Sequence, residues 1–156
     1  MGFYQNTCKP EGLGGKLMTQ IMNSGHHAKL AEWGFSHLTV PADANILDAG
    51  CGGGANLTRW LERCPEGHVT GLDYSAVSVA TAQKYNRQAI AEGRCAVVQG
   101  NVAELPFEDD TFDVVSAFET VYFWPGLERC FAEVLRVLKP GGLFFLCNET
   151  DGNNPE

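Results

Sequence analysis

The sequence predicts an open, doubly wound α/β sheet, mainly parallel, and three observations carry that expectation. From Ala44 onward, short apolar runs alternate with longer amphipathic stretches: NILDAG then ANLTRWLERC, HVTGLD then SAVSVATAQKYNRQAIAEG, CAVVQG, FDVVSAF then LERCFAEVLRVL, and finally GLFFLCN. Strands separated by helices cannot close as hairpins and must run parallel. The runs are continuously apolar rather than alternating, as strands buried on both faces are. The third observation is Gly50, Gly52, Gly53 and Gly54, packed directly behind the first strand where a tight turn must feed a helix.

The elements follow in order. Before the alternation begins, EGLGGKLMTQIMNSG and HHAKLAEWGFSHL place Leu17, Ile21 and Met22, then Leu30, Trp33, Phe35 and Leu38, at helical spacing, which predicts two short helices broken at Ser24-Gly25. This defines a helical cap segment over 1–43 and an α/β domain over 44–156. A helix over 75–93 opens on Ser75, a good N-cap, and closes at Gly93. The last long helix stops at Lys139-Pro140-Gly141-Gly142, and the fifth strand follows.

Composition narrows the function classes. The 156 residues suffice for one buried core, and 19 acids against 11 Lys and Arg give a net charge of −8, which argues against a nucleic-acid backbone and for a small-molecule partner. Six cysteines lie scattered, without CxxC spacing or nearby histidine, and read as reduced thiols, several in core positions. The acid run in ELPFEDDTFD reads as a solvated loop, so no metal is implied. The opening MGFYQNTCKPEG has no signal-peptide stretch, and Asn6 stands where a myristoylation signal wants Ser or Thr. No run approaches the roughly 20 apolar residues of a membrane span. A cytoplasmic location is the expectation.

In a doubly wound sheet, ligands sit outside the carboxyl ends of the strands where strand order reverses. Gly50, Gly52 and Ala55 have the G-x-G-x-x-[G/A] spacing of nucleotide folds, and Asp73 ends the second strand where an acid can bind ribose hydroxyls. Asp73 could instead support the helix start beside Ser75, although the glycine loop favours the ribose. These features leave a nicotinamide cofactor and S-adenosylmethionine both open.

Four ordered motifs, ILDAGCGGG, GLDYS, GNVAELPFEDDTFDVV and EVLRVLKPGG, resemble the class I S-adenosylmethionine-dependent methyltransferases, in particular the ubiquinone and menaquinone biosynthesis group. The resemblance runs from about Asn45 to Asn148. It implies a Rossmann-like sheet in the order 3-2-1-4-5, S-adenosylmethionine as cofactor with S-adenosylhomocysteine as product, and methyl transfer to a small-molecule acceptor. A cofactor-binding module without turnover and an NAD-dependent oxidoreductase are the alternatives.

By the same resemblance, Asp48 fixes the cofactor ammonium while the loop of Gly50, Cys51 and Gly52 approaches its methionine part. Asp73 binds the ribose and Tyr74 packs beside the adenine. Asn101, where relatives commonly carry Asp, and the amide of Val102 meet the adenine edge, although an ordinary turn would also explain Asn101. Phe118, Glu119 and Thr120 close over the methionine and methyl. Glu119, His26 and His27 are the candidate bases by residue type, with a solvated helix face as the plainer account of the two histidines. Tyr122, Phe123 and Trp124 either wall an acceptor site or pack into the core.

Relatives continue past the fifth strand with a helix and an antiparallel strand pair, whereas the sequence given closes on NETDGNNPE. The expectation is a truncated domain, with an unusually short one as the alternative, whose fifth strand, with Phe144 and Phe145 on opposite faces, leaves an exposed edge. Such an edge invites homodimer formation or lowers stability.

Overall fold

A computed structural model describes residues 25–149. The first predicted helix, EGLGGKLMTQIMNSG, lies outside the described residues. The second is present as α1 (His26–Ser36). It is followed by β1 (Asn45–Ala49), α2 (Ala55–Arg63), β2 (His68–Asp73), α3 (Ala76–Tyr85), α4 (Arg87–Ala91), β3 (Cys95–Gln99), β4 (Phe112–Phe118), a 3₁₀ turn (Val121–Phe123), α5 (Leu127–Val137) and β5 (Leu138–Cys147). The strands form one sheet in the order β3-β2-β1-β4-β5, every pair parallel. Order reverses between β1 and β4, so any ligand crevice lies at the carboxyl ends of those two strands.

Two apolar layers cover the sheet. On one face Ile46, Val69, Val97 and Val114 pack under Phe35 of α1 and Leu57, Trp60 and Leu61 of α2. On the other, Leu47, Ala49, Leu72 and Val115 pack against Trp124 and against Cys130, Val134 and Val137 of α5. Period-2 alternation within β1 therefore sends Asp48 to the same face as Ile46, beneath α2. The cap segment shares this core: Phe35 meets Trp60 edge-on at 4.7 Å and stacks on Phe118 at 4.8 Å.

Two sequence expectations are corrected. The helix over 75–93 is two helices, because Asn86 turns its side chain inward. Its Nδ2 donates to the carbonyls of Gly54 and Ala82 at 2.9 and 3.1 Å, and its Oδ1 accepts from Thr58 Oγ1 at 3.0 Å. An amide bonded sideways to the glycine loop breaks the helical run and restarts it one residue on. The last helix ends at Val137 rather than in the Lys-Pro-Gly-Gly turn. Leu138 already pairs with Phe112, and the next pairing, Val114 with Leu143, leaves 139–142 bulged out of the ladder. The acids of the 104–113 loop, Glu104, Glu108, Asp109 and Asp110, are exposed, and Arg136 ties the loop down by binding Asp109, Glu133 and the carbonyls of Leu105 and Phe107, while Lys139 pairs with Asp113.

Phe144 and Phe145 do face opposite ways: Phe144 stacks on Trp124, and Phe145 meets Phe118. Five free cysteines are buried among the described residues. Also among the described residues, no His, Cys, Asp and Glu cluster could hold a metal ion, and no helix is long and apolar enough to cross a membrane.

Candidate functional site

The glycine loop is built against β2. The amides of Gly50 and Cys51 both donate to the carbonyl of Leu72, at 2.7 and 3.0 Å, and that of Gly54 donates to Cys51 at 3.0 Å. Gly52 donates to Asp73 Oδ2 at 2.9 Å. Four loop donors are therefore directed into the protein. These bonds fix the loop as a wall.

Glycine is demanded at two positions for steric reasons. Gly50 has φ +85°, and a Cβ there would lie 2.2 Å from Thr120 Oγ1, so the turn after β4 closes on the turn after β1. Gly54, with φ +84°, lets Ala82 and Asn86 of the α3 end press onto the loop, since a Cβ would sit 2.7–2.9 Å from them. Both conformations favour a residue without a side chain.

Behind the wall stand two carboxylates. Asp48 is 2% exposed, and its Oδ1 accepts from Ser116 Oγ at 2.7 Å. Burial lifts its pKa from 3.8 to about 7, with the Ser116 hydrogen bond opposing and the Asp73 charge adding to the rise. Asp73 is largely buried at the end of β2, and its Oδ1 accepts from the Ser75 amide at 2.9 Å. Burial raises it too, against hydrogen bonds from the amides of Ser75 and Gly52 and from the Ser78 side chain. Asp73 thus has a structural role, tying the loop to the helix start. A carboxylate offers about four lone-pair sites, so hydroxyl donors can still be accepted.

The third and fourth strands bring the remaining candidates to the same end of the sheet. Asn101 Oδ1 accepts from the Ala103 amide at 2.9 Å, an Asx turn of the kind its residue type allowed, and Val102 is buried in the second layer. Tyr74 is more than half exposed. Phe118 does not close over a ligand with its ring, which is stacked inward on Phe35. Glu119 takes φ +53°, a left-handed conformation uncommon outside glycine, and its amide donates to Cys147 at 2.8 Å. That turn throws its carboxylate toward α1, which His26 opens, and there Oε2 meets His27 Nδ1.

The His27–Glu119 pair joins two candidates 92 positions apart that carried no sequence signal of partnership. Glu119 is well covered, while His27 is two-fifths exposed. A carboxylate on Nδ1 fixes the tautomer and makes Nε2 the nitrogen that takes a proton, an arrangement suited to general-base chemistry. The aromatic trio divides. Trp124 is core, whereas Tyr122 and Phe123 are exposed and meet edge-on at 4.7 Å. Tyr122 is half exposed, and burial of the rest, with Glu119 and Glu149 close by, pushes its hydroxyl up to about 12. Two participants that sequence reasoning did not find are Ser116 and Trp60, whose Nε1 donates to Ser116 Oγ at 3.0 Å.

Comparison with known proteins bears on this geometry. A family profile described as a methyltransferase domain matches residues 47–146. The chain is 35% identical over 136 residues to the botryococcene C-methyltransferase of Botryococcus braunii, covering 84% of this chain and 35% of that protein. It is 38% identical over 108 residues to a sterol 24-C-methyltransferase of Gibberella zeae, covering 69% of this chain and 28% of that one. The chain thus spans about a third of the length of these curated relatives. Among solved structures, it superposes on a chain of the Haloferax volcanii complex between the Trm112 methyltransferase activator and a protein assigned as a methyltransferase. That match has a TM-score of 0.76 and 27% identity over 84% of this chain and 55% of the other. A geranyl diphosphate methyltransferase holding its diphosphate substrate and sinefungin matches with a TM-score of 0.67 and 26% identity, over 75% and 43% of the two chains.

Proposed function

Because the chain belongs to the class I S-adenosylmethionine-dependent methyltransferase family through its methyltransferase domain, we propose that it transfers the methyl group of S-adenosylmethionine to a carbon atom of a small acceptor with an apolar body. The observation that carries the reading is the electrostatics of the crevice. Asp48 and Asp73 lie at the carboxyl ends of adjacent strands, both are raised by burial, and among the described residues the groups acting on them include no cation. Such a site disfavours an anion and gains from a cation. S-adenosylmethionine has an ammonium, a sulfonium and two ribose hydroxyls, whereas a dinucleotide would bring its pyrophosphate to a loop in which the amides of Gly50, Cys51, Gly52 and Gly54 are already bonded within the protein. The donor set fits the first and opposes the second.

The bound donor supplies a methyl carbon activated by sulfonium. The chain's own residues then bind, orient and deprotonate. Asp48 holds the ammonium, Asp73 accepts from the ribose, Tyr74 flanks the base, and Asn101 with Val102 meets its edge. The loop of Gly50, Cys51 and Gly52 and the turn of Phe118, Glu119 and Thr120 form the two walls between which acceptor and methyl are aligned and water is excluded. A neutral acceptor methylated at carbon gains a positive charge and is neutralised by losing a proton, from the methylated carbon or a neighbouring one; the His27–Glu119 pair is the base that takes it in this reading. The relatives' names supply the acceptor class: botryococcene and sterols are large hydrocarbon skeletons. Exposed Tyr122 and Phe123 beside Glu119 offer an apolar surface for such a body.

Incubation with S-adenosylmethionine and a panel of terpenoid and sterol acceptors tests the reading through release of S-adenosylhomocysteine and the mass of the product. A C-methylated product supports it. A second reading, donor binding without turnover, stays open because the chain spans only part of its relatives. Tight S-adenosylhomocysteine binding with no product from any acceptor would favour that reading.

A further inference from the structure

Asp48, Ser116 and Trp60 come from three different elements, and all three are buried. Asp48 on β1 lies opposite Ser116 on β4 in the parallel register, and Trp60 reaches down from α2. With Asp48 ionised, the direction of the hydrogen bonds is determined. An indole N–H only donates, so Ser116 Oγ must accept from Trp60 Nε1. The hydroxyl's single proton then goes to Asp48 Oδ1 at 2.7 Å in preference to the Leu47 carbonyl at 3.5 Å. The indole is itself held by the edge-on Phe35 ring. A chain of donors running one way favours the carboxylate over the carboxylic acid and fixes its rotamer.

We infer that Ser116 and Trp60 are positioning residues for the methyl donor, aiming Asp48 at the ligand ammonium so that binding expels a proton from Asp48 to solvent. The step balances as a carboxylic acid and a free ammonium becoming a carboxylate–ammonium pair and one released proton. This rests on the donor reading above and extends it to two residues that touch no ligand. Among the described residues, the groups around Asp48 are Asp73 from the end of β2, the Cys51 thiol from the loop and Ser116 from β4, with Trp60 of α2 behind the serine, and none is cationic. Burial pushes the Cys51 thiol well up, so it stays neutral. From α1, His27 is engaged with Glu119. Without a ligand, Asp48 titrates at about 7, so near-neutral solution holds a mixture of the two forms that a cation can draw to one side.

The experiment is calorimetric titration of S-adenosylhomocysteine, which has the ammonium but a neutral sulfur, in buffers of different ionisation enthalpy between about pH 6 and about pH 8.5. The wild-type protein should release close to one proton per ligand at the acid end and few at the alkaline end, with affinity rising by up to about tenfold per pH unit below the Asp48 midpoint. Ser116→Ala should move that midpoint to higher pH, so its affinity deficit is largest in acid and closes in alkali. Trp60→Phe, which keeps an aromatic ring and removes the N–H, should move it the same way by less. Asp48→Asn should abolish the proton release. Wild-type binding without proton release, or a Ser116→Ala deficit equal at every pH, overturns the inference while leaving the donor reading intact. Failure of S-adenosylhomocysteine to bind at any pH refutes the donor reading, and this inference with it.

Discussion

Replacing Asp48 by asparagine should change how stability depends on pH, with no ligand present. Unfolded Asp48 titrates near 3.8 and folded Asp48 near 7. The folded state therefore holds the extra proton between those values. Because the folded pKa is the raised one, the stability contributed is fully present below 3.8 and is lost as pH rises through about 7. At about 1.4 kcal/mol per unit, the whole span is worth about 4 kcal/mol, and the part between about pH 5.5 and 8.5 about 2 kcal/mol. The asparagine side chain carries no such proton, and other titrating groups are common to both proteins. Urea unfolding at the two pH values should show the variant-minus-wild-type difference rising by about 2 kcal/mol toward alkaline pH. A difference that stays flat would show that Asp48 is not the buried, uncompensated acid on which the site's electrostatics depend.

Three further outcomes follow from the same geometry. Gly50→Ala places a methyl 2.2 Å from Thr120 Oγ1 at φ +85°, so urea unfolding should show a loss of at least about 1–3 kcal/mol; an unchanged midpoint would contradict the close approach of the two turns. Asp73→Asn leaves one side-chain oxygen for the amides of Gly52 and Ser75, which should weaken S-adenosylhomocysteine binding by about 1–3 kcal/mol and speed hydrogen exchange at one of those two amides. Unchanged exchange at both, together with unchanged affinity, would remove Asp73 from the site. Glu119→Gln or His27→Ala should slow methyl transfer by about 10²–10⁴-fold while S-adenosylhomocysteine still binds; equal loss of binding and turnover would assign the pair to the architecture.

What the sequence disclosed and what it withheld divide along a physical line. β2 and β4 end where their apolar runs end, at Asp73 and Phe118, because burial on both faces leaves a local composition signature. The glycine loop and its acid were equally visible, since strained backbone limits residue choice at the position itself. The direction of the loop amides was not, because it depends on the Leu72 carbonyl and the Asp73 carboxylate arriving from another strand. The same holds for Asn86, an ordinary helix-interior residue by pattern, whose amide breaks the helix only because Gly54 and Thr58 lie beside it. Trp60 and Ser116 lie inside a helix and a strand with no signal of their own, and only the register of β1 on β4 brings the serine to Asp48. Phe118 marked the right turn with the wrong part of the residue: its backbone leads into the site while its ring packs on Phe35.

A crystal structure with S-adenosylhomocysteine bears most directly on the claim that this crevice holds a methyl donor. The account predicts the nucleoside lying along the Gly50–Gly54 loop, with its ammonium within hydrogen-bond reach of Asp48 and its ribose hydroxyls on Asp73. A ligand bound elsewhere, or an adenosyl group in the crevice with neither acid in contact, would contradict it.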